Sequence, residues 1–500
     1  MDKSILELVQ DYRRQMADGI TRPVARLYSH YARLGQEREG LRSWTDGDAE
    51  KLLNNAVELV EAAFIEQEQS DRASESWQSS MRRAGEILEW LSHPGIGLSY
   101  IPTQLLASAA YQLAGYPARS AGLLAYDLST ASESQALRRF LQVDFPSLFS
   151  CLIEYWAKFQ PTDRTERVEQ DGASWSQDPE SFSQWVRQLV VGSTLSALGA
   201  LAAEMRWGDE HRVDRAIAKL VAISKLLLHS DDPYSWLLAK MCAMVSSTYM
   251  DSSLRRHLRD LSLSQRGQGM LGRYLRQSYQ SGKTLAWPSQ LRGIERLQKE
   301  ESFALCTPTG SGKTTVAEIA ILQGLFSSAG DSLRENYGLE PLVIYLVPSR
   351  ALAAEVEFKL SQVFEQMDSG VASVIITGLY GGTDWGPTDA WLTRDTPTVL
   401  ICTYEKGEAL VRFMGPSFLG RVSLVIVDEA HSVQFDDKHT DLQRAESRPL
   451  RLEVLSTRLF SRVEQNEGRI IALSAVAKGI ENVLASWVAG TLDAQPAKSS

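Results

Sequence analysis

One short segment of this 500-residue chain has the composition of a phosphate-binding loop. The run Thr307-Pro308-Thr309-Gly310-Ser311-Gly312-Lys313-Thr314 follows four residues that are mostly apolar and precedes a helical pattern. Glycines let backbone N–H groups close around phosphates, and the start of a helix adds favourable polarity. We therefore predict ATP binding by Thr309, Gly310, Ser311, Gly312, Lys313 and Thr314.

The last two residues of the loop have separate expected roles. Lys313 would reach the β and γ phosphates, and the Thr314 hydroxyl would bind Mg²⁺. A second Gly-Lys-Thr triplet, at residues 282–284, lacks a preceding apolar strand, and we interpret it as a chance match.

A pair of carboxylates follows a later apolar run. Asp428 and Glu429 come directly after residues 422–427. Ligands of open α/β sheets bind where the strands end, so this position favours chemistry over a merely solvated acidic pair. We predict that Asp428 binds Mg²⁺ and that Glu429 orients and deprotonates the attacking water.

The elements that would position these residues can be predicted from the apolar pattern. Runs that are apolar at nearly every position and rich in Val and Ile suit strands buried on both faces. Helical patterns alternate with these runs, which predicts an α/β domain with a parallel sheet. The predicted strands are 303–306, 342–347, 373–377, 399–402, 422–427 and 469–473.

The first 280 or so residues show only helical periodicity, so we predict an all-α N-terminal region. A polar stretch at 160–180, with Pro161 and Pro179, is the best linker candidate. The expected domains are 1–165, helical; 166–280, a second helical region or a continuation; and 281–500, the nucleotide-binding domain. The segment 107–124 resembles one helix-turn-helix unit of a tetratricopeptide-like array, without a second copy at a fixed period.

Composition limits the class of protein and its location. No run approaches 18 consecutive apolar residues and no signal peptide is evident, so we expect a cytoplasmic protein without a membrane partner. Cys151, Cys242, Cys306 and Cys402 lie far apart, and we expect four buried thiols rather than disulfides or a zinc site.

A basic segment stands out against the acidic net charge of −10. Residues 252–299 contain ten Lys or Arg and two acidic residues, which gives ten minus two, or +8. The segment could follow a nucleic-acid backbone, because neutralised phosphates release counterions. A solvated helical face explains the same composition, and the sequence leaves both interpretations open.

Taken together, and in this order, the motifs resemble those of superfamily 2 DExH/DEAD-type helicases over about residues 286–490. The closer resemblance is to the Ski-like branch, which includes archaeal repair helicases and exosome-associated RNA helicases. It implies a RecA-like domain that uses ATP and Mg²⁺ and holds a single strand of DNA or RNA. It also adds His431, in Asp-Glu-Ala-His, to the catalytic set of Lys313, Asp428 and Glu429.

The resemblance assigns an adenine contact to Gln290, in Trp-Pro-Ser-Gln, with a solvated glutamine as the alternative. Leu473-Ser474-Ala475-Val476 is similar to the motif that links ATP hydrolysis to movement, so Ser474 and Ala475 are coupling candidates. Val476 lacks the hydroxyl of the usual threonine.

Four further residues are candidates for contact with the nucleic-acid strand. Arg350 would contact the backbone or brace its own loop. Thr403 would contact a phosphate or only cap the next helix, and Tyr404 after it replaces the usual proline. Gly381 and Gly382 would form a backbone-binding loop or a tight turn.

The family needs a second RecA-like domain with arginine fingers, but only 24 residues follow Val476. We therefore expect a fragment of a longer protein, or a partner subunit, and very weak hydrolysis by these 500 residues alone. The leading hypothesis is an ATP-dependent helicase or translocase. The alternative is an ATP-gated switch or scaffold, for example in a defence or repair complex. In the helicase, the N-terminal helices could bind a protein partner, guide the strand or inhibit the motor. In the switch, they would hold a partner that ATP binding releases or restrains.

Overall fold

The computed structural model describes most of the chain from residue 46 to residue 489. The described residues are 46–69, 76–93, 98, 100–125, 132–158, 179–230, 232–308, 310, 312–327, 338–367, 373–381, 395–413, 419–433, 448–465, 468–475 and 481–489. Contacts divide the chain into two compact units, Met1–Asp251 and Ser252–Ser500.

The described part of the first unit is helical, as predicted. Its α-helices are α1 (Asp46–Gln69), α2 (Ser76–Leu91), α3 (Thr103–Leu113), α4 (Pro117–Leu123), α5 (Ser132–Leu141), α6 (Phe145–Lys158), α7 (Pro179–Trp207), α8 (Val213–Leu227) and α9 (Pro233–Asp251).

The segment that resembled a helix-turn-helix unit forms α3 and α4. Gly115 between them has φ 80°, and Pro117 occupies the first turn of α4, where its missing N–H is not needed. The predicted linker at 160–180 lies almost entirely outside the described residues. Within α7, Val186–Trp207 is long and apolar enough to cross a membrane, by length and composition alone. The core helix of a soluble protein meets the same criterion, and the cytoplasmic location stays a prediction.

The second unit contains a parallel sheet with helices around it. Its strands are β1 (Phe303–Cys306), β2 (Leu342–Val347), β3 (Ile375–Leu379), β4 (Thr398–Thr403), β5 (Val422–Val427) and β6 (Arg469–Ser474). Its helices are α10 (Leu254–Leu258), α11 (Gln265–Gln280), α12 (Pro288–Gln298), α13 (Lys313–Phe326), α14 (Arg350–Met367), α15 (Tyr404–Phe413), α16 (Arg448–Gln465) and α17 (Glu481–Ala489).

The strand order is β1-β6-β5-β2-β4-β3, and all five pairings are parallel. The predicted fold class is therefore confirmed. In β2 the residues alternate between two cores: Val343 and Val347 pack into one, and Leu342, Ile344 and Leu346 into the other. The strand at 373–377 was predicted two residues too early. Gly378, one residue past the predicted end, pairs with Ile401 inside the ladder.

The sheet-bearing unit starts before the predicted boundary at 281, because α11 is packed against the helix that follows the phosphate loop. The Ser264 N–H donates to the Phe326 carbonyl at 2.9 Å. A Cβ on Gly267 would lie 2.6 Å from that same carbonyl oxygen, so the two helices meet backbone to backbone. Arg266 adds a salt bridge to Glu340, 3.2 Å away.

The four cysteines are free thiols, as expected, but they are not all buried. Cys151, Cys242 and Cys402 are buried, whereas Cys306 is partly exposed. Cys306 ends β1, the edge strand of the sheet, just before the phosphate loop. The described residues contain no cluster of His, Cys, Asp and Glu that could hold a metal ion on its own.

Candidate functional site

The phosphate loop connects β1 to α13 and is tied to the neighbouring strand. The Thr307 N–H donates to the Ser474 carbonyl at 3.1 Å, and the Lys313 Nζ donates to the Thr307 carbonyl at 3.0 Å. Gly310 and Gly312 have φ 83° and 81°, a left-handed conformation that favours glycine. Lys313 begins α13 and Thr314 is exposed in its first turn. Thr309 and Ser311 lie outside the described residues.

Gln290 braces this loop from α12. Its Oε1 accepts a hydrogen bond from the Trp287 N–H at 2.7 Å, and its Nε2 donates to the Gly312 carbonyl at 3.3 Å. The side chain is buried, so the interpretation as a solvated glutamine is wrong. A Cβ on Gly312 would lie 2.0 Å from the Gln290 Nε2. A side chain at residue 312 would therefore have to displace the Gln290 amide.

The acidic turn after β5 is held by several hydrogen bonds. The Asp428 N–H donates to the Leu346 carbonyl at 2.9 Å, and Asp428 Oδ1 accepts from the Glu429 N–H at 2.9 Å. Tyr345 donates to Asp428 Oδ2 at 3.1 Å. Burial raises the pKa of Asp428 above its ordinary value, while the hydrogen bonds from Glu429 and Tyr345 oppose the rise.

Glu429 has φ 51°, which is unusual for a residue other than glycine. The Ser432 N–H and hydroxyl both donate to the Glu429 carbonyl, at 3.0 and 2.8 Å, and so support the turn. The carboxylate Oε2 lies 3.1 Å from His431 Nδ1. This conformation turns the Glu429 side chain toward His431.

The loop and the acidic turn meet at one edge of the sheet because β6 lies between β1 and β5. Ser474, at the end of β6, accepts from the Thr307 N–H with its carbonyl and lies 3.5 Å from His431 Nδ1 with its hydroxyl. Ala475 follows directly. The predicted phosphate-binding, catalytic and coupling residues are thus joined through Ser474.

This edge has the chemistry that nucleotide and Mg²⁺ require. Two left-handed glycines and a lysine at a helix start suit phosphate groups. The charge of Asp428 is disfavoured by burial and favoured by nearby Lys313, so a bound cation would stabilise its charged form further.

Two of the strand-contact candidates lie against each other. A Cβ on Gly381, which has φ 57°, would lie 2.5 Å from the Arg350 Nε. Thr403 is buried, and its Oγ1 accepts from the Lys406 N–H at 3.5 Å, which is the geometry of a helix cap. Gly382 lies outside the described residues.

The basic segment contains both internal contacts and exposed cations. Arg266 pairs with Glu340, and Arg273 donates to the Met367 carbonyl at 2.9 Å. These two contacts join α11 to Glu340 and to the end of α14. The exposed basic residues are Arg259, Arg276, Lys283, Arg292 and Lys299.

Two tyrosines at the site were not predicted. Tyr345 holds Asp428 Oδ2, and Tyr404 donates to the Asp428 backbone carbonyl at 2.5 Å. Tyr345 could have been noticed as the one polar side chain in the apolar run 342–347. The sequence showed that Tyr404 replaces the usual proline of the related motif, but it did not show that its hydroxyl contacts Asp428.

Comparisons with known proteins agree on the class of domain. Residues 287–483 match the model of the DEAD/DEAH box helicase family. Hachiman protein HamB of Bacillus cereus is 30% identical over 262 residues, which cover 52% of this chain and 21% of HamB. The ATP-dependent DNA helicase Hel308 of Thermococcus kodakarensis is 32% identical over 215 residues, covering 40% of this chain and 16% of Hel308. This chain therefore spans about a fifth of these relatives.

Among solved structures, the Mycobacterium smegmatis helicase Lhr bound to ssDNA and AMP-PNP aligns with a TM-score of 0.35 and 21% identity. That alignment covers 48% of this chain and 28% of Lhr.

Proposed function

We propose that the protein is an ATP-dependent helicase or translocase that acts on DNA or RNA, because residues 287–483 match the DEAD/DEAH box helicase family. This region would be its first motor half. One observation carries the proposal: the phosphate loop and the acidic turn lie on either side of Ser474 and both contact it.

The roles of the site residues follow from their positions. Lys313 and Thr314 would hold the phosphates and Mg²⁺, together with the Gly310 and Gly312 backbone. Asp428 would be the second protein ligand of Mg²⁺. Bound ATP and Mg²⁺ supply the phosphoryl group to be transferred and the charge that neutralises it.

Glu429 is proposed to orient the attacking water and accept its proton. His431, 3.1 Å from Glu429 and 3.5 Å from the Ser474 hydroxyl, would keep that carboxylate aligned with the end of β6. Ser474 and Ala475 would carry movements of the loop to the acidic turn. Gln290 would contact the adenine edge, and its amide already fixes the adjoining loop at Gly312.

Strand binding is proposed for the segments that follow β2, β3 and β4. The Arg350 guanidinium lies against Gly381 at the carboxyl edge of the sheet, and Gly382 is the next residue in the chain. Thr403 would offer its hydroxyl to a phosphate at the end of β4, although that hydroxyl also caps α15. A second RecA-like domain, in the same chain or a partner, would complete the motor.

The test uses the full-length protein with any partner that co-purifies. ATP turnover is measured with and without single-stranded DNA or RNA, and strand displacement is measured on a partial duplex. Glu429→Gln should abolish both activities while nucleotide binding persists. Unwinding at the wild-type rate by Glu429→Gln would show that the catalytic assignment is wrong.

A second candidate is an ATP-gated switch or scaffold that binds nucleic acid without unwinding it. The observation that favours it is Val476, which lacks the hydroxyl of the related coupling motif. The relative HamB, by its name a Hachiman protein, makes a defence complex a reasonable setting. A protein that turns over ATP in response to a strand but displaces none would support this candidate.

A further inference from the structure

The Tyr404 side chain reaches the acidic turn from a strand that does not neighbour β5. In the sheet order, β2 lies between β4 and β5. Two strand spacings therefore separate the ends of β4 and β5, or about 10 Å. Tyr404, the first residue after β4, crosses that distance and donates a hydrogen bond to the Asp428 carbonyl oxygen at 2.5 Å. Its ring is 2% exposed.

Movement of the Asp428 carbonyl group would change the backbone conformation of the acidic turn. This carbonyl belongs to the peptide group that joins Asp428 to Glu429, so its orientation is linked to the φ of Glu429. That φ is 51°, a conformation that costs a non-glycine residue about 1–2 kcal/mol and needs support from its surroundings. Tyr404 supplies such support from outside the turn.

Tyr345 makes a parallel contact from the intervening strand. It donates to Asp428 Oδ2, and the chain that leaves β2 then continues into Arg350. Asp428 is thus connected to two segments that are candidates for strand contact.

We propose that Tyr404 is a positioning residue through which strand binding beside Thr403 is transmitted to Asp428 and Glu429. The inference rests on the proposed function. A phosphate bound at Thr403 would fix the first turn of α15, and Tyr404 is the first residue of that helix. The hydrogen bond then fixes the Asp428–Glu429 peptide and with it the direction of the Glu429 carboxylate. Nucleic acid thereby accelerates hydrolysis.

The contact is particular to the residue type found here. Proline, usual at this position of the related motif, has no hydroxyl and too short a ring to reach β5. Its preset φ suits the first turn of a helix, so it would preserve α15 without the connection. Tyr404 therefore adds a link that the proline form of the motif does not have.

The experiment compares Tyr404→Phe with wild type in the full-length protein, using a single-stranded oligonucleotide as the activator. One net hydrogen bond corresponds to about a fivefold effect on rate. We expect the ratio of strand-stimulated to basal kcat to fall about fivefold, while the KM for ATP and the oligonucleotide Kd change less than about twofold. Replacing Tyr404 with 4-aminophenylalanine, which restores a donor, should recover the stimulated rate.

Tyr249→Phe is the matched control. Tyr249 is also a buried tyrosine whose hydroxyl donates to a backbone carbonyl, that of Phe140 at 3.2 Å, but in the first unit. Its variant should keep full stimulation. Full stimulation in Tyr404→Phe, an equal loss in Tyr249→Phe, or no recovery with 4-aminophenylalanine would each overturn the inference. If the wild-type protein itself shows no strand-stimulated turnover, the proposed function fails, and the inference with it.

Discussion

Replacing Gly312 with alanine tests how the phosphate loop is held in place. The new Cβ would stand 2.0 Å from the Gln290 Nε2, and the residue has φ 81°. A left-handed conformation costs an alanine about 1–2 kcal/mol. Gln290 must also move and lose its hydrogen bond to the Gly312 carbonyl, at about 1 kcal/mol. The total is about 2–3 kcal/mol.

Gly310→Ala separates the two contributions. Gly310 has φ 83°, but a Cβ there would meet nothing within 4 Å. This variant should lose only about 1–2 kcal/mol. The assay is urea unfolding of the nucleotide-free protein, followed through the transition of the sheet-bearing unit. Gly312→Ala should be the less stable of the two by about 1 kcal/mol.

Removing the obstructing side chain provides a further control. In a Gln290→Ala background, Gly312→Ala should cost about as much as Gly310→Ala, because only the backbone strain remains. Equal losses for Gly310→Ala and Gly312→Ala in the wild-type background would refute the predicted collision. So would strictly additive losses in the Gln290→Ala/Gly312→Ala protein.

Two other predictions follow from buried carboxylates. Tyr345→Phe removes a hydrogen bond that lowers the pKa of Asp428, so that pKa should rise further. If the ionised Asp428 carboxylate binds Mg²⁺ as proposed, the acidic limb of the pH profile of kcat/KM should move to higher pH. An unmoved limb would contradict this. Burial raises the folded-state pKa of Glu318 above the ordinary value of 4.5, even though its Oε2 accepts from Tyr274 at 2.8 Å. The wild-type protein should therefore lose stability as pH rises from 4.5 through the folded-state pKa. Glu318→Gln cannot ionise at residue 318, so it should unfold at a higher temperature than wild type near pH 7. Near pH 4 the two proteins should unfold at about the same temperature. A lower unfolding temperature of Glu318→Gln near pH 7 would contradict the argument.

Much of the site could be predicted because its determinants are local. Strands buried on both faces need apolar side chains at consecutive positions, and this pattern located all six strands of the sheet to within about two residues. Left-handed turns favour glycine, so Gly310 and Gly312 could be recognised without knowing what surrounds them. Asp428 and Glu429 became candidates in the same way, from their predicted place at the end of a strand, and the structure puts them directly after β5.

Other features depend on which elements become neighbours. From the sequence, Gln290 could either contact the base or be solvated. Only the packing of α12 against the loop shows that its amide forms hydrogen bonds with the backbone of Trp287 and Gly312. The membership of 252–280 in the sheet-bearing unit follows likewise from contacts of α11 with α13 and Glu340. Composition alone would have left Arg266 among the candidates for phosphate contact.

The phosphate loop was determined by the sequence itself, since its glycines, lysine and flanking strand and helix are contiguous. The tertiary structure determined which residues lie next to the loop and the acidic turn. Strand order brought Ser474 between Thr307 and His431, and placed Tyr345 and Tyr404 around Asp428. The physical reason is that strands far apart in the chain pair through backbone hydrogen bonds, which every residue type can form. Strand pairing therefore cannot be read from the residues of one strand. The identity of the neighbours is therefore fixed by the packing of the whole unit.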